Sequence, residues 1–164
     1  MDEIILFGAG GHARACVDVI ELGGKFAVAG FIEKNETNIQ RTLGYPVLGT
    51  DDDLHSLRGK YNHALIAVGQ IQSAAIRIRL FQALQQMDYM LPVIVSPKAY
   101  VSKYAKIGAG TIVMHGAIIN ANARVGTNCI INNRALVDHD ADIGDHSHIA
   151  TGAIINGEVS VGQA

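Results

Sequence analysis

The chain has 164 residues, 13 lysines and arginines against 15 aspartates and glutamates, a formal net charge of −2, and an apolar share of 49% without tryptophan. Its basic residues are scattered and balanced by acids, which argues against a nucleic-acid surface, and no apolar run approaches the roughly 20 residues of a membrane span. Cys16 and Cys129 read as buried small residues rather than a disulfide, and with no basic leader before the first strand a cytoplasmic address fits.

Residues 3–7 read as a buried strand. Gly8-Ala9-Gly10-Gly11-His12-Ala13 follows, then a helical pattern (Ala15, Val17, Val19, Ile20, Leu22) stopped by Gly23-Gly24. Residues 26–32 form a second strand ending at Glu33, and 34–46 are polar and punctuated, hence loop. Thr50 caps a helical turn with Asp51, Asp52 and Asp53 at its positive end. Residues 64–68 are a third strand closed by Gly69, and 71–87 a helix with Ile76, Leu80 and Leu84 spaced by four. Residues 91–95 form a short fourth strand bracketed by Pro92 and Pro97. Strands alternating with helices over 1–95 predict a small Rossmann-like parallel α/β domain, about half of a full dinucleotide fold.

From Val101 the pattern changes. An aliphatic residue recurs every six positions: Val101, Ile107, Val113, Ile119, Val125, Ile131, Val137, Ile143, Ile149, Ile155 and Val161. Two positions before nearly all of them sits a small residue, from Ala99 to Ala153, and Gly108, Gly126, Gly144 and Gly162 add a period of 18. Neither a helix (3.6) nor a plain strand (2) predicts six. A solenoid with three short strands per 18-residue coil does, with aliphatics stacked inward about 4.8 Å apart along its axis. The glycine every 18 residues is expected to mark a corner with special backbone demands. Residues 96–164 are therefore a β-helix. The repeat resembles that of the hexapeptide-repeat acyltransferases, which implies a left-handed parallel β-helix; the spacing itself does not give the hand, since ordinary parallel crossovers favour the right.

The glycine turn admits three readings. Gly8, Gly10 and Ala13 fit G-x-G-x-x-A between strand and helix, with Glu33 about 20 residues on, as NAD binding would require. The diphosphate of another nucleotide uses the same backbone N–H groups at a helix N-terminus. A tight turn without a ligand is the third. The combination of Gly8-Ala9-Gly10-Gly11-His12, a strand ending in Val68-Gly69 and the six-residue repeat resembles the PglD/NeuD-type sugar acetyltransferases along the whole chain. This resemblance implies transfer of acetyl from acetyl-CoA to the amine of a UDP-linked 4-amino sugar for bacterial surface glycans, in a homotrimer with sites between subunits. It implies substrate contacts at Gly10, Gly11, His12, Glu33, Lys34 and Gly69. O-acetylation of a sialic acid is the alternative reaction, and a non-catalytic nucleotide-sugar-binding scaffold is the alternative of another class.

His139 stands in Val137-Asp138-His139-Asp140, with carboxylates on both flanks. A carboxylate bonded to one imidazole nitrogen fixes the tautomer and raises the basicity of the other, which suits a general base. Successive strand residues face opposite sides, so Asp140 reaches the ring only where the backbone bends; otherwise the stretch is a solvated face. The resemblance makes His139 the base and Asp140 its tuner. One coil back lies Ala121 and one coil on lies Gly157, so small neighbours flank the ring. By the resemblance, His148 lies near the acetyl group, the Gly157 N–H contacts it, and Asn132 orients substrate or neighbouring side chains. His139 and His148 are half a coil apart, which suggests that they meet across a subunit boundary. His55, His63, His115 and His146 carry no supporting motif and read as surface residues; His146 and His148 form H-x-H, but no third ligand follows at metal spacing, so no metal is expected. The repeat stops at Val161-Gly162-Gln163-Ala164, before a closing coil, which reads as a C-terminal truncation that removes much of the CoA contact.

Overall fold

In the computed structural model, which describes residues 1–34 and 36–164, a small α/β unit packs on a three-sided β-helix. The first unit contains β1 (Asp2–Phe7), α1 (Gly11–Gly23), β2 (Phe26–Ile32), β3 (Arg41–Thr42), β4 (Tyr45–Gly49), α2 (Leu54–Arg58), β5 (His63–Ile66) and α3 (Ala75–Gln86). Its sheet runs β3-β4-β2-β1-β5, parallel except for the antiparallel β3–β4 pair. The Ile4–Phe7 stretch is wholly buried because helices and neighbouring layers cover both faces, which is why it reads as a continuous apolar run. The helix α1 ends as expected: Gly24 adopts a left-handed conformation (φ 62°) and its N–H bonds the Ile20 carbonyl at 3.1 Å. Thr50 forms a capping box with Asp53, although the turn it opens is a single 3-10 turn before α2.

Three elements differ from expectation. The stretch 34–46, read as loop, contains β3 and the start of β4, a hairpin that adds β4 as a further parallel strand beside β2. Its short, polar edge strand β3 carries little hydrophobic pattern, so composition hid it. The helix α3 starts at Ala75, four residues later than expected, after a loop at 69–74 that lines two pockets. Ile94–Val95 does not join the first sheet. It pairs with Ile112–Val113, 18 residues on, and so forms a rung of the solenoid.

The solenoid has three four-stranded parallel sheets, each rung a two-residue strand paired 18 residues away. The aliphatic row from Val113 to Ile149 and the small-residue row from Ala117 to Ala141 form a dry core. Each fully buried valine or isoleucine contributes about 1.5–3 kcal/mol. The hand is left. The glycine column works differently from expectation. Left-handed backbone occurs every six residues at another position: Gly110, Gly116, Asn122, Asn128, Arg134, Asp140, His146, Gly152 and Glu158. Gly108, Gly126 and Gly144 are instead required by close coil-to-coil approach. A Cβ on Gly108 would lie 2.7 Å from the backbone of Gly126 and Thr127. The polar members of the small-residue row cap the same corner: Thr111 Oγ1 donates to the Gly126 carbonyl, Cys129 Sγ to Gly144, and Ser147 Oγ to Gly162.

The outward residues give the three faces different fates. Ile94, Ile112 and Ile130 lie in one cluster with Ile4, Leu6, Val17 and Ile20, so the α/β unit covers that face. Lys106, Arg124, Asp142 and Ser160 make the second face polar. Tyr100, Ile118, Leu136 and Ile154 make the third apolar, and three of them are exposed.

Candidate functional site

Gly10, Gly11, His12, Glu33, Lys34 and Gly69 all line one pocket of about 860 Å³ at the carboxyl ends of β1, β2 and β5. That is where a parallel sheet leaves its crevice. Gly8 turns sharply there (φ 101°), and any Cβ would lie 2.9 Å from the Val68 side chain. Glu33 ties the turn down: Oε2 accepts the Ala9 N–H at 2.7 Å and Oε1 the Lys34 N–H at 2.9 Å. A carboxylate spent on these two backbone groups is not arranged as a free ribose acceptor, which weighs against the NAD reading. From the other side Thr42 Oγ1 donates to the Ala9 carbonyl at 2.9 Å, so the hairpin missed in the sequence secures the glycine turn.

His12 opens α1 beside Cys16, whose Sγ lies 3.5 Å from Nε2. Burial, then the Arg77 charge and His148, lower its pKa to about 4, so at neutral pH it is an uncharged imidazole. Cys16 is buried and its thiol is pushed up to about 12, inert as read.

His139 and Asp140 form the expected dyad: Nδ1 lies 3.0 Å from Asp140 Oδ2. The bend that this contact needs is present, because Asp140 is one of the left-handed residues (φ 59°). His139 is raised above the ordinary histidine pKa, by the Asp140 hydrogen bond first and the Asp138 charge second. The side chains are 58% and 44% exposed, so the base is open to a reactant. Nδ1 donates to the carboxylate, leaving Nε2 as the free lone pair. Gly157 lies directly against that edge: a Cβ there would be 2.7 Å from both Cε1 and Nε2.

His148 sits half a coil away, on the face covered by the α/β unit, and does not meet His139 within the chain. Its Nδ1 donates to the Gln70 carbonyl at 2.7 Å, and its Nε2 accepts from Asn132 Nδ2 at 3.0 Å. These bonds fix the tautomer. His148 also lines a pocket of about 640 Å³ that shares Ile71, Gln72 and Ser73 with the first pocket. The loop at 69–74 is therefore the wall between the two.

Other structural residues escaped the sequence reading. Arg77 is fully buried on α3; it donates to the Ile66 and Val68 carbonyls at 2.8 and 2.7 Å and to Asn128 of the solenoid. His146, expected on the surface, is buried. It accepts from Asn128 Nδ2 through Nδ1 at 3.0 Å and meets the Phe81 ring edge-on. His115, also expected at the surface, joins Ser96 and Asp18 across the junction, at 2.7 and 2.8 Å. His63 is half-buried and packs on Phe26, whereas His55 is exposed. Contacts made between residues about 50 or 100 positions apart have no local signal.

A three-sided β-helix with a carboxylate-held histidine at an outer corner defines an acyltransferase of the hexapeptide-repeat class. The N-terminal unit narrows the class: residues 3–84 match the PglD N-terminal domain family. The chain belongs to the PglD-type sugar acetyltransferases. A histidine-to-asparagine mutant of perosamine N-acetyltransferase from Caulobacter crescentus, solved with CoA and GDP-perosamine, is 30% identical with a TM-score of 0.89, over 98% of this chain and 74% of that one. The acetyltransferase domain of PglB from Neisseria gonorrhoeae, solved with acetyl coenzyme A, is 27% identical with a TM-score of 0.83, over 98% and 85%. WeeI from Acinetobacter baumannii, at 17% identity and a TM-score of 0.70 over 100% and 95%, shares the fold. No curated protein matches the chain with significance. Among the described residues, no helix is long and apolar enough to cross a membrane.

Proposed function

We propose that the protein transfers acetyl from acetyl-CoA to the amine of a nucleoside-diphosphate-linked amino sugar. The sugar nucleotide would occupy the pocket of residues 1–95, and acyl transfer would take place on residues 96–164. The observation that carries the reading is the His139–Asp140 pair, with the ring's Nε2 edge against Gly157. The neutral amine attacks the thioester carbonyl. His139 Nε2 takes the proton that the nitrogen sheds, and Asp140 holds the imidazolium that forms. When the tetrahedral intermediate collapses, the C–S bond breaks and the proton passes to the CoA sulfur. The Gly157 N–H, which has no hydrogen-bond partner among the described residues, is the donor for the developing oxyanion. His148 has spent its one N–H on Gln70, so its contribution is to hold the acceptor wall rather than to donate to the acetyl oxygen.

The diphosphate would lie at the open N–H groups of Gly11 and His12, at the positive end of α1. Lys34 supplies charge, and Ile71, 98% exposed on the shared lip, supplies apolar contact. A UDP sugar was expected, whereas three of the solved relatives hold GDP-perosamine; the glycine turn and Lys34 would meet the diphosphate that both nucleotides share. Calorimetric titration with a UDP-4-amino sugar, GDP-perosamine and NAD tests the pocket. Saturable binding of one sugar nucleotide, weakened by His12→Ala, supports the reading; binding of NAD alone overturns it.

A homotrimer completes the site. The apolar column Tyr100, Ile118, Leu136 and Ile154, exposed at all but Leu136, borders the His139 corner, and a second copy covering it would bring one chain's His139 towards the next chain's His148. A mixed oligomer of His139→Ala and His148→Ala chains should then regain part of the activity, and a verified mixture with none would sink the shared site. Two free cysteines and the use of acetyl-CoA agree with a cytoplasmic setting.

A further inference from the structure

The 18-residue coil places three triplets directly over one another: Asn120-Ala121-Asn122, Asp138-His139-Asp140 and Asn156-Gly157-Glu158. The central triplet holds the base. Beneath it both asparagines reach up. Asn120 Nδ2 donates to Asp138 Oδ1 at 2.7 Å, and the same oxygen accepts the His139 backbone N–H at 2.7 Å. Asn122 Nδ2 donates to Asp140 Oδ1, while Asp140 Oδ2 meets His139 Nδ1. Each carboxylate is thus gripped from the coil below by one amide and also bonds His139, Asp138 through the same oxygen and Asp140 through its second.

We propose that Asn122 is a positioning residue for the acetyl-transfer base, fixing the Asp140 carboxylate so that its second oxygen stays on His139 Nδ1. Asp140 is half exposed, and the only bonds its carboxylate makes among the described residues are those to Asn122 and His139. An exposed carboxylate on one flexible side chain spends much of its time in water, and a single imidazole bond does not overcome its rotamer freedom. Glu158, stacked one coil above, adds a further negative charge facing the His139 ring, whereas Asn122 below is a neutral donor to Asp140. The titratable groups facing His139 are Asp138, Asp140 and Glu158, all of one sign. Asn122 is the foremost cause that holds the Asp140 carboxyl below its usual range, which keeps it ionised beside the base. Asn122 also occupies a left-handed corner (φ 61°), so its type has a structural explanation that a test must separate.

Asn122→Gly makes that separation, because glycine takes the corner at no steric cost while the amide is lost. The proposal rests on the acetyl-transfer reading above, so the first readout is independent of turnover: a pH titration of the His139 ring by NMR in the resting protein. In Asn122→Gly the His139 midpoint moves down towards that of an ordinary histidine, with the melting temperature unchanged. In steady state kcat falls about tenfold with KM for both substrates within about twofold, as expected for weakened general-base catalysis. In an Asp140→Asn background, the same Asn122→Gly change has no further effect, because it acts through Asp140. An unmoved His139 midpoint in Asn122→Gly overturns the proposal, as does an equal loss of kcat with and without Asp140. A moved midpoint in a protein that turns over no amino sugar keeps the relay and removes the acetyl-transfer reading instead.

Discussion

Gly157→Ala isolates catalysis from folding. The added Cβ would sit 2.7 Å from His139 Cε1 and Nε2, against about 3.5–4.0 Å for comfortable contact, so the ring must retreat by roughly 1 Å. Only the hydrogen bond to Asp140 opposes the retreat: the imidazole is 58% exposed and can swing towards water. Stability should therefore change by less than about 1 kcal/mol, whereas a reacting group misplaced by about 1 Å costs on the order of 100-fold in rate. The assay is steady-state thiol release from acetyl-CoA at saturating amino sugar, paired with thermal unfolding. The expected result is kcat down about 100-fold with the melting temperature held within a few degrees. A variant with kcat within about threefold of the parent would refute the placement of Nε2 at the reaction centre.

Three further outcomes follow from the same geometry. His139 works as the neutral base and its pKa is raised by Asp140, so the acid limb of the kcat profile should lie above the ordinary histidine value of about 6.5; Asp140→Asn should lower kcat and move that limb to lower pH. His12 has a folded pKa of about 4 against an unfolded value of about 6.5, so the unfolded chain binds more protons between them. Stability is full above about pH 6.5 and falls by about 2–3 kcal/mol towards pH 4.5; denaturant unfolding of His12→Asn should show less of that loss. Arg77→Met strands the Ile66, Val68 and Asn128 acceptors inside the junction and should cost about 3–5 kcal/mol in chemical denaturation, with a raised KM for the sugar nucleotide whose pocket wall those carbonyls anchor.

The solenoid was legible because its period is a property of local spacing: each rung repeats the same inward aliphatic, and only an 18-residue coil satisfies the series. The same period could have revealed Asn120 and Asn122, since both stand 18 residues before the acids they hold; looking one coil back from His139 reached only Ala121 between them. The glycine column was visible but its cause was not, because close approach of Gly108 to the next coil and left-handed backbone at Gly110 leave the same residue type two positions apart. The glycine turn and Glu33 were legible as a pocket edge. The tie from Glu33 to Ala9 was not, nor was the Arg77–Asn128 clamp, because both depend on how separate segments dock. His115 and His146 were misjudged for that reason: a histidine without a local motif becomes a junction residue only when another unit covers it.

The most direct test follows both products in one vessel, the thiol freed from acetyl-CoA and the mass of the amino sugar, with UDP- and GDP-linked sugars offered in turn. The account predicts that one sugar nucleotide gains a single amide-linked acetyl group in step with thiol release. It also predicts that His139→Ala still binds both substrates but loses the transfer. Undiminished acetylation by His139→Ala, or two bound substrates with no acetylated sugar from the parent protein, would contradict it.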